Sequence, residues 1–370
     1  MHMKCGVITF HRVINYGGVL QTYAMQKCLE KLNIDNDIID YRCPFLERQY
    51  YSKHINYNKL KRIAYAILKN GTLKPNIRGF AAFREKYLHI SEKQYNNKNI
   101  YEANKKYDFF ITGSDQVWSY YCAGFDKNYF LEFVKENRKK NSYAASFGVS
   151  EIPMNYQEEY KKLLSNFNMI SVREDYGKKI VKEITNREAT VVLDPTLLLD
   201  CSEWEELLSL KKNNDKYVLV YMIVESQSLL EAAKKIANDN NYKIIYINDR
   251  IYPAPNIENK RKVCPKEWVE LLFNAQIVIT NSYHGISFCI NFGKEFYMQF
   301  LESNIKVNAR LEYLLQLFGL QDRCLKSNGN FFSADKIVKV KSEKINEILQ
   351  KKRKASFDFL RQIFLYNTIS

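Results

Sequence analysis

The sequence has no CxxC pair and no Cys/His cluster at metal-ligand spacing; its eight cysteines, Cys5, Cys28, Cys43, Cys122, Cys201, Cys264, Cys289 and Cys324, are scattered singly. That excludes a structural zinc site and a disulfide framework, and fits a reducing compartment in which cysteine packs as a small apolar side chain. No apolar run approaches the ~18 uninterrupted residues of a membrane-spanning helix. The start offers only Cys5-Gly6-Val7-Ile8-Thr9-Phe10, too short for a signal-peptide core and without a small-residue cleavage site after it, so export is not expected. Internal repeats, low-complexity tracts and nucleic-acid-binding motifs are missing too, and the GxGxxG fingerprint of dinucleotide folds is absent.

What is present is a chain of 370 residues, 46% hydrophobic, with a formal net charge of +15. At ~150 residues per domain this fits two domains, with the cleft between them as the default place for a site. The positive charge points to anionic partners: a phosphorylated substrate, a membrane surface or, less well supported, nucleic acid. The basic run Lys351-Lys352-Arg353-Lys354 followed by Phe357, Phe359, Leu360 and Phe364 suits two readings: a helix lying on anionic lipid, or a solvated lysine-rich end whose apolar face packs in the core. A cytoplasmic protein with peripheral contact at the inner membrane face is the expectation. The sequence is equally compatible with a monomer and a homo-oligomer.

Along the chain, a β-rich segment at Lys4–Phe10, helical spacing over Leu20–Leu32 and a β-branched run at Ile34–Tyr41 read as βαβ. Asn15-Tyr16-Gly17-Gly18 lies at the strand-to-helix turn, where paired glycines allow close backbone approach and free N–H groups face an anion. Asp40 stands about where a dinucleotide fold would hold a ribose (~20 residues on), but the fingerprint that should precede it is missing. Residues 45–105 read as an insertion with helical stretches at Lys61–Leu68 and Phe80–Tyr87. Strand-like pieces follow at Tyr107–Thr112, Ser142–Gly148, Asn168–Val172 and Val191–Leu193, and the turn Asp194-Pro195-Thr196 reads as a domain boundary. The second half alternates again, with strands at Tyr217–Val224, Tyr242–Asn248, Gln276–Thr280 and Glu295–Phe300. Such alternation implies parallel sheets. The expected architecture is α/β: two Rossmann-like domains facing a central cleft, glycosyltransferase-B-like, over 1–195 and 196–330, with a helical segment 331–370 that crosses back.

Of five histidines, His284 is the most informative, since it follows a strand by four residues at the start of a helix. There a proton-transferring imidazole and a bound oxyanion can share one place; a packed or capping histidine is the plain alternative. Arg173 closes a strand, where ligands sit in open α/β sheets, and its planar guanidinium can grip a carboxylate or phosphate, or else pair with Glu174 or Asp175. Arg310 and Lys294 are candidates for a second cation. Asp115 and Gln116, on a strand-end loop, can hydrogen-bond sugar hydroxyls or cap the turn.

Six motifs taken in order resemble the polysaccharide pyruvyl transferase family: Phe10-His11 through Asn15-Tyr16-Gly17-Gly18 to Gln21 and Tyr23-Ala24, Gly113-Ser114-Asp115-Gln116-Val117-Trp118, Ser142 to Gly148, Ser171-Val172-Arg173-Glu174, Leu193-Asp194-Pro195-Thr196 and Thr280-Asn281-Ser282-Tyr283-His284-Gly285. They span about residues 4 to 320. The resemblance implies transfer of an enolpyruvyl unit from phosphoenolpyruvate to two hydroxyls of a glycan or lipid-linked sugar, giving a ketal, without metal or organic cofactor. It implies His284 and Arg173 in catalysis, donor contacts from Arg173, Asn281, Ser282, Tyr283, Gly285, Lys294 and Arg310, and acceptor contacts from Asn15, Gly17, Gly18, Gln21, Asp115 and Gln116. His284 would protonate the enol methylene or assist phosphate departure. Where the family's active members carry Arg-x-His, this chain reads Ser282-Tyr283-His284, which leaves a missing cation to Arg310 or Lys294, or points to another donor. A nucleotide-sugar-dependent enzyme and a non-catalytic glycan-assembly subunit are the rival readings.

Overall fold

The computed structural model describes residues 3–51, 76–249, 257–301, 307–325 and 339–365. The helical reading at Lys61–Leu68, most of the turn 302–308 and the start of the last helix at Ala334 lie outside them.

Two five-stranded parallel sheets dominate. The first contains β1 (Lys4–Ile8), β2 (Asp35–Tyr41), β3 (Ile90–Tyr95), β4 (Phe109–Thr112) and β5 (Lys140–Ser142) in the order β3-β2-β1-β4-β5. A short ladder of β6 (Ser171–Val172) and β7 (Thr190–Val191) continues its β5 edge through parallel bridges Asn141–Met169 and Ala145–Val172. The second contains β8 (Tyr217–Tyr221), β9 (Lys243–Ile247), β10 (Glu258–Lys260), β11 (Ile277–Thr280) and β12 (Glu295–Met298) in the order β10-β9-β8-β11-β12. Helices cover both faces, so the central strands are apolar throughout: β8 is Tyr-Val-Leu-Val-Tyr and buried at every position. Each order reverses beside its first strand, between β1 and β4 and between β8 and β11, and loops leaving the carboxyl ends there form the crevice in which open α/β sheets hold ligands.

Local chemistry fixes the helices that border this crevice. Asn15 starts helix Tyr16–Lys31 by accepting the Gly18 N–H (3.2 Å), and Ser282 starts Tyr283–Phe292 by accepting the Gly285 N–H (3.3 Å). Gly293 (φ +62°) ends the latter in the left-handed conformation that glycine adopts most easily. The two halves share one core: Tyr16 stacks on Trp268 at 5.2 Å and donates its hydroxyl to the Val263 carbonyl (3.0 Å). This facing pair of sheets is glycosyltransferase-B-like.

The reading of 45–105 changes, while Asp40 and the final helix follow the readings that the sequence favoured. Residues 45–105 are not only helical: they contain β3, whose sequence Ile-Ser-Glu-Lys-Gln-Tyr is polar because it is a sheet edge with three exposed positions. Asp40 is spent on His11 (3.2 Å) and Arg42 (2.9 Å), which removes it as a ribose ligand. The final helix, Glu343–Leu365, turns its apolar face to protein rather than to lipid. Phe359, Leu360 and Phe364 are buried, Phe364 meets Phe109 of β4 edge-on at 5.7 Å, and Arg353 donates to the Leu197 carbonyl (2.7 Å) and Asn291 (2.9 Å). Among the described residues no helix is long and apolar enough to cross a membrane.

Candidate active site

A buried guanidinium organises the crevice. Arg173 leaves the carboxyl end of β6 with a side chain wholly shielded from solvent. Its Nη1 donates to Asp194 Oδ2 (2.9 Å), while Asp115 Oδ1 and Glu174 Oε2 stand 3.6 and 3.7 Å from Nη2 and Nε, too far for hydrogen bonds. Tyr283 lies across the guanidinium, 4.3 Å from ring centre to Cζ, a cation–π contact from the opposite sheet. Among the described residues, Nε and Nη2 of Arg173 therefore have no hydrogen-bond partner although both are buried.

Asp194 holds this centre together. It accepts from the Thr196 N–H (3.0 Å), the Thr196 hydroxyl (2.7 Å), the Ser114 hydroxyl (2.8 Å) and Arg173, and its Oδ2 lies 3.6 Å from His284 Nε2. Burial disfavours its charge, but His284, Arg173 and Thr196 outweigh that and hold the carboxyl well below the usual range. The sequence offered Asp194 as an Asp-Pro turn within a family motif; its side chain proves to be the hydrogen-bonded counter-ion of Arg173, with Glu174 a more distant ionic neighbour at 3.7 Å.

His284 sits in the first turn of its helix, 6% exposed, with its ring against Gly17 of the facing domain. A Cβ on Gly17 would stand 2.5 Å from His284 Cε1 and closer still to Nδ1, so only glycine permits the approach. The amino ends of helices Tyr16–Lys31 and Tyr283–Phe292 thus meet at one point, each contributing partial positive charge. Arg310, in the first turn of helix Ala309–Phe318, also reaches the Tyr283 ring (5.9 Å), and its buried Nε has no hydrogen-bond partner among the described residues.

Beside this cluster opens a cavity of ≈ 610 Å³, walled by Phe10, Phe45, Tyr50 and Tyr121 and edged by Asn15, Asp115 and Gln116. Asp115 has φ +73° and lies between the cavity and Arg173, which makes it the junction of the two. Of the aromatic wall only Phe10 belongs to a sequence motif; the wall assembles from segments distant in the chain.

Of the residues singled out in sequence, Arg173, Tyr283, His284, Arg310, Gly17, Gly18 and Asp115 come together here, with Asn15 and Gln116 on the cavity rim. Four do other work. Gln21 is fully buried and fixes the loop after β4, donating to Thr9 (2.8 Å) and accepting from the Ser114 N–H (3.2 Å). Asn281 ties down the loop after β8 through Ile223 (2.7 Å) and Val224 (2.6 Å). Ser282 is a helix cap, and Gly285 is small because a Cβ would crowd Thr280 Oγ1 (2.7 Å). Lys294 follows the far end of the same helix, ~15 Å from His284 at 1.5 Å per residue, where it lies over Phe273.

A chain of two facing parallel sheets, with a buried guanidinium among three carboxylates at their crevice and a cavity beside it, is glycosyltransferase-B-like in fold. More narrowly, it belongs to the polysaccharide pyruvyl transferase family, whose profile matches residues 15–298. No curated protein matches it. Among solved structures it is similar to S. aureus MnaA in its UDP co-structure (9% identity, TM-score 0.51, covering 100% of this chain and 98% of that one). It is also matched by UDP-GlcNAc 2-epimerase from Methanocaldococcus jannaschii (13%, 0.49, 99% and 100%) and the glycosyltransferase SnogD from Streptomyces nogalater (9%, 0.45, 99% and 100%). At such identity the likeness speaks to fold alone.

Proposed function

We infer that this protein transfers a pyruvyl group from phosphoenolpyruvate to two hydroxyls of a glycan or lipid-linked sugar, closing a cyclic ketal. The observation that carries this reading is the buried Arg173 guanidinium with two unspent N–H groups between His284 and Arg310. Buried donors without partners are costly, and a bound anion removes the cost. Phosphoenolpyruvate offers both a carboxylate and a phosphate, which suits two arginines and two helix amino ends. His284 is the proton-transfer group of this reading, and the neighbouring aromatic cavity takes the acceptor, with Asp115, Asn15 and Gln116 toward its hydroxyls.

Serine at 282 leaves the donor one cation short of the family's Arg-x-His pattern, and Arg310 supplies it from the facing edge of Tyr283. Loss of one charge-assisted contact costs ~1.5 to 3 kcal/mol, so Arg310→Ala is expected to weaken phosphoenolpyruvate binding by about 10- to 150-fold. Lys294→Ala should leave it unchanged. Titration calorimetry on both variants checks the pair; equal losses would return Lys294 to the site and remove this account of Ser282.

Turnover tests the function itself. Incubation with phosphoenolpyruvate and a panel of sugar and lipid-linked acceptors should give acceptor-dependent phosphate release and a product heavier by one pyruvyl ketal. His284→Ala should slow it by ~10²- to 10⁴-fold, the usual worth of a positioned proton-transfer group. Sugar transfer from a nucleotide sugar, with none from phosphoenolpyruvate, would replace this reading with a glycosyltransferase.

A further inference from the structure

Three carboxylates surround Arg173, and they are not equivalent. Both oxygens of Asp194 are taken by hydrogen bonds. Asp115 is held by the Gln116 N–H (2.9 Å) at the edge of the cavity. Glu174 is different: Oε1 accepts from the Ser146 hydroxyl (2.7 Å), and Oε2 is buried with no hydrogen-bond partner among the described residues, on a residue 1% exposed. It occupies the cap position of helix Asp175–Thr185 yet caps no N–H. A purely structural counter-ion would be expected to take a hydrogen bond from the guanidinium beside it, but Arg173 gives that bond to Asp194. Glu174 Oε2 and Arg173 Nε both stay unspent, 3.7 Å apart.

Charge sharpens the contrast. With all three carboxylates ionised, the centre holds three negative groups against Arg173 and Arg310, and a donor bearing a carboxylate and a phosphate would enter against a net negative charge. Protonating one carboxylate removes that conflict; Glu174 and Asp115 each accept a single hydrogen bond, but Glu174 alone of the three has an oxygen that is both buried and unbonded among the described residues. Burial pushes its carboxyl above the ordinary range, outweighing the opposing pull of Arg173, Ser146 and Arg310. The titratable groups facing it are Arg173 at the end of β6, Tyr283 in its helix, and Arg310 and Tyr313 in helix Ala309–Phe318.

Resting on the pyruvyl-transfer reading, we propose that Glu174 is the catalytic acid that protonates the methylene carbon of the donor, and that donor binding loads its proton. In the first step the Oε2 proton moves to C3 of phosphoenolpyruvate, the C2–C3 π pair forming the new C–H bond, and C2 becomes an oxocarbenium centre beside the Glu174 carboxylate. One acceptor hydroxyl then bonds to C2 and gives up its proton through His284. The second hydroxyl bonds to C2 as the C2–O bond to phosphate breaks, its electron pair leaving on phosphate. Of the two hydroxyl protons, one returns to Glu174 and one leaves with phosphate.

Calorimetric titration with phosphoenolpyruvate in two buffers of different ionisation enthalpy measures the protons taken up on binding. Wild type is expected to take up close to one proton per donor near neutral pH. Glu174→Gln, which keeps a hydrogen-bonding group toward Ser146, should bind the donor with uptake near zero and turn over ~10²- to 10⁴-fold more slowly. Ser146→Ala provides a check that leaves the carboxyl in place: it removes a bond that favours the charged form, so activity, which falls as pH rises through the Glu174 pKa, should persist to higher pH. Uptake that survives in Glu174→Gln, or an alkaline limb unmoved in Ser146→Ala, overturns the assignment while leaving donor binding intact. Absence of donor binding in wild type overturns the pyruvyl-transfer reading itself.

Discussion

Replacing Gly17 by alanine is expected to reduce turnover by at least ~10²-fold while the protein stays folded. Helix Tyr16–Lys31 gains from the change, because alanine is favoured over glycine in a helix by ~1 kcal/mol. The obstacle is across the domain interface. The new methyl would occupy space that the His284 ring fills, and a real Cβ does not approach another heavy atom within 3.0 Å. His284 is buried against Tyr283, with ring centroids 5.2 Å apart and nearly perpendicular, so it has little room to turn aside. Either the imidazole leaves its position 3.6 Å from Asp194 or the sheets part. Overpacking of this kind costs ~1 to 3 kcal/mol, comparable to the ~2.7 kcal/mol that a 10²-fold loss of turnover represents. Thermal melts and phosphate release on the purified variant check both halves, and full activity in Gly17→Ala would mean that the His284–Gly17 contact is not part of the working enzyme.

Asp194→Asn should be the most destabilising single change in the site. The amide oxygen can still accept from Thr196, but Arg173, wholly buried, loses the only counter-ion among the described residues that is hydrogen-bonded to it. Removing one partner of a buried pair costs ~3 to 5 kcal/mol, and Asp115 and Glu174, at 3.6 and 3.7 Å, offset the lost charge without replacing the lost hydrogen bond. The variant also has a pH signature. The folded-state pKa of Asp194 is depressed, so its contribution is fully present above the unfolded aspartate value of ~3.9 and is lost as pH falls toward the folded value. Denaturant unfolding of wild type should therefore show an acid-side fall in stability that is shallower in Asp194→Asn. Equal midpoints at neutral pH would show that Arg173 finds another counter-ion.

Residues whose chemistry depends on position along the chain were readable in the sequence. Arg173 at a strand end and His284 at a helix start follow from local pattern, as does the βα alternation that makes two parallel sheets. Residues whose role depends on what lies opposite were not. Asp194 signalled a turn, and nothing local says that its carboxylate would meet Arg173, 21 residues earlier, and His284 from the other domain. Lys294 misled because nearness in sequence became distance in space once ten residues formed a helix. Gln21 and Asn281 are polar beside the crevice but spend their amides on backbone groups, a demand invisible before the loops are folded. The polar edge strands β3 and β10 lack the apolar signature of the central ones, and they went unread for that reason.

Ligand-induced thermal stabilisation tests the central claim most directly: that the Arg173 centre binds phosphoenolpyruvate. At ~100 times its dissociation constant the donor should stabilise the wild type by about 2.7 kcal/mol, with no comparable effect from pyruvate, free phosphate or nucleotide sugars, and Arg173→Ala should abolish the shift. Stabilisation by a nucleotide sugar with none by phosphoenolpyruvate, or a phosphoenolpyruvate shift undiminished in Arg173→Ala, would contradict it.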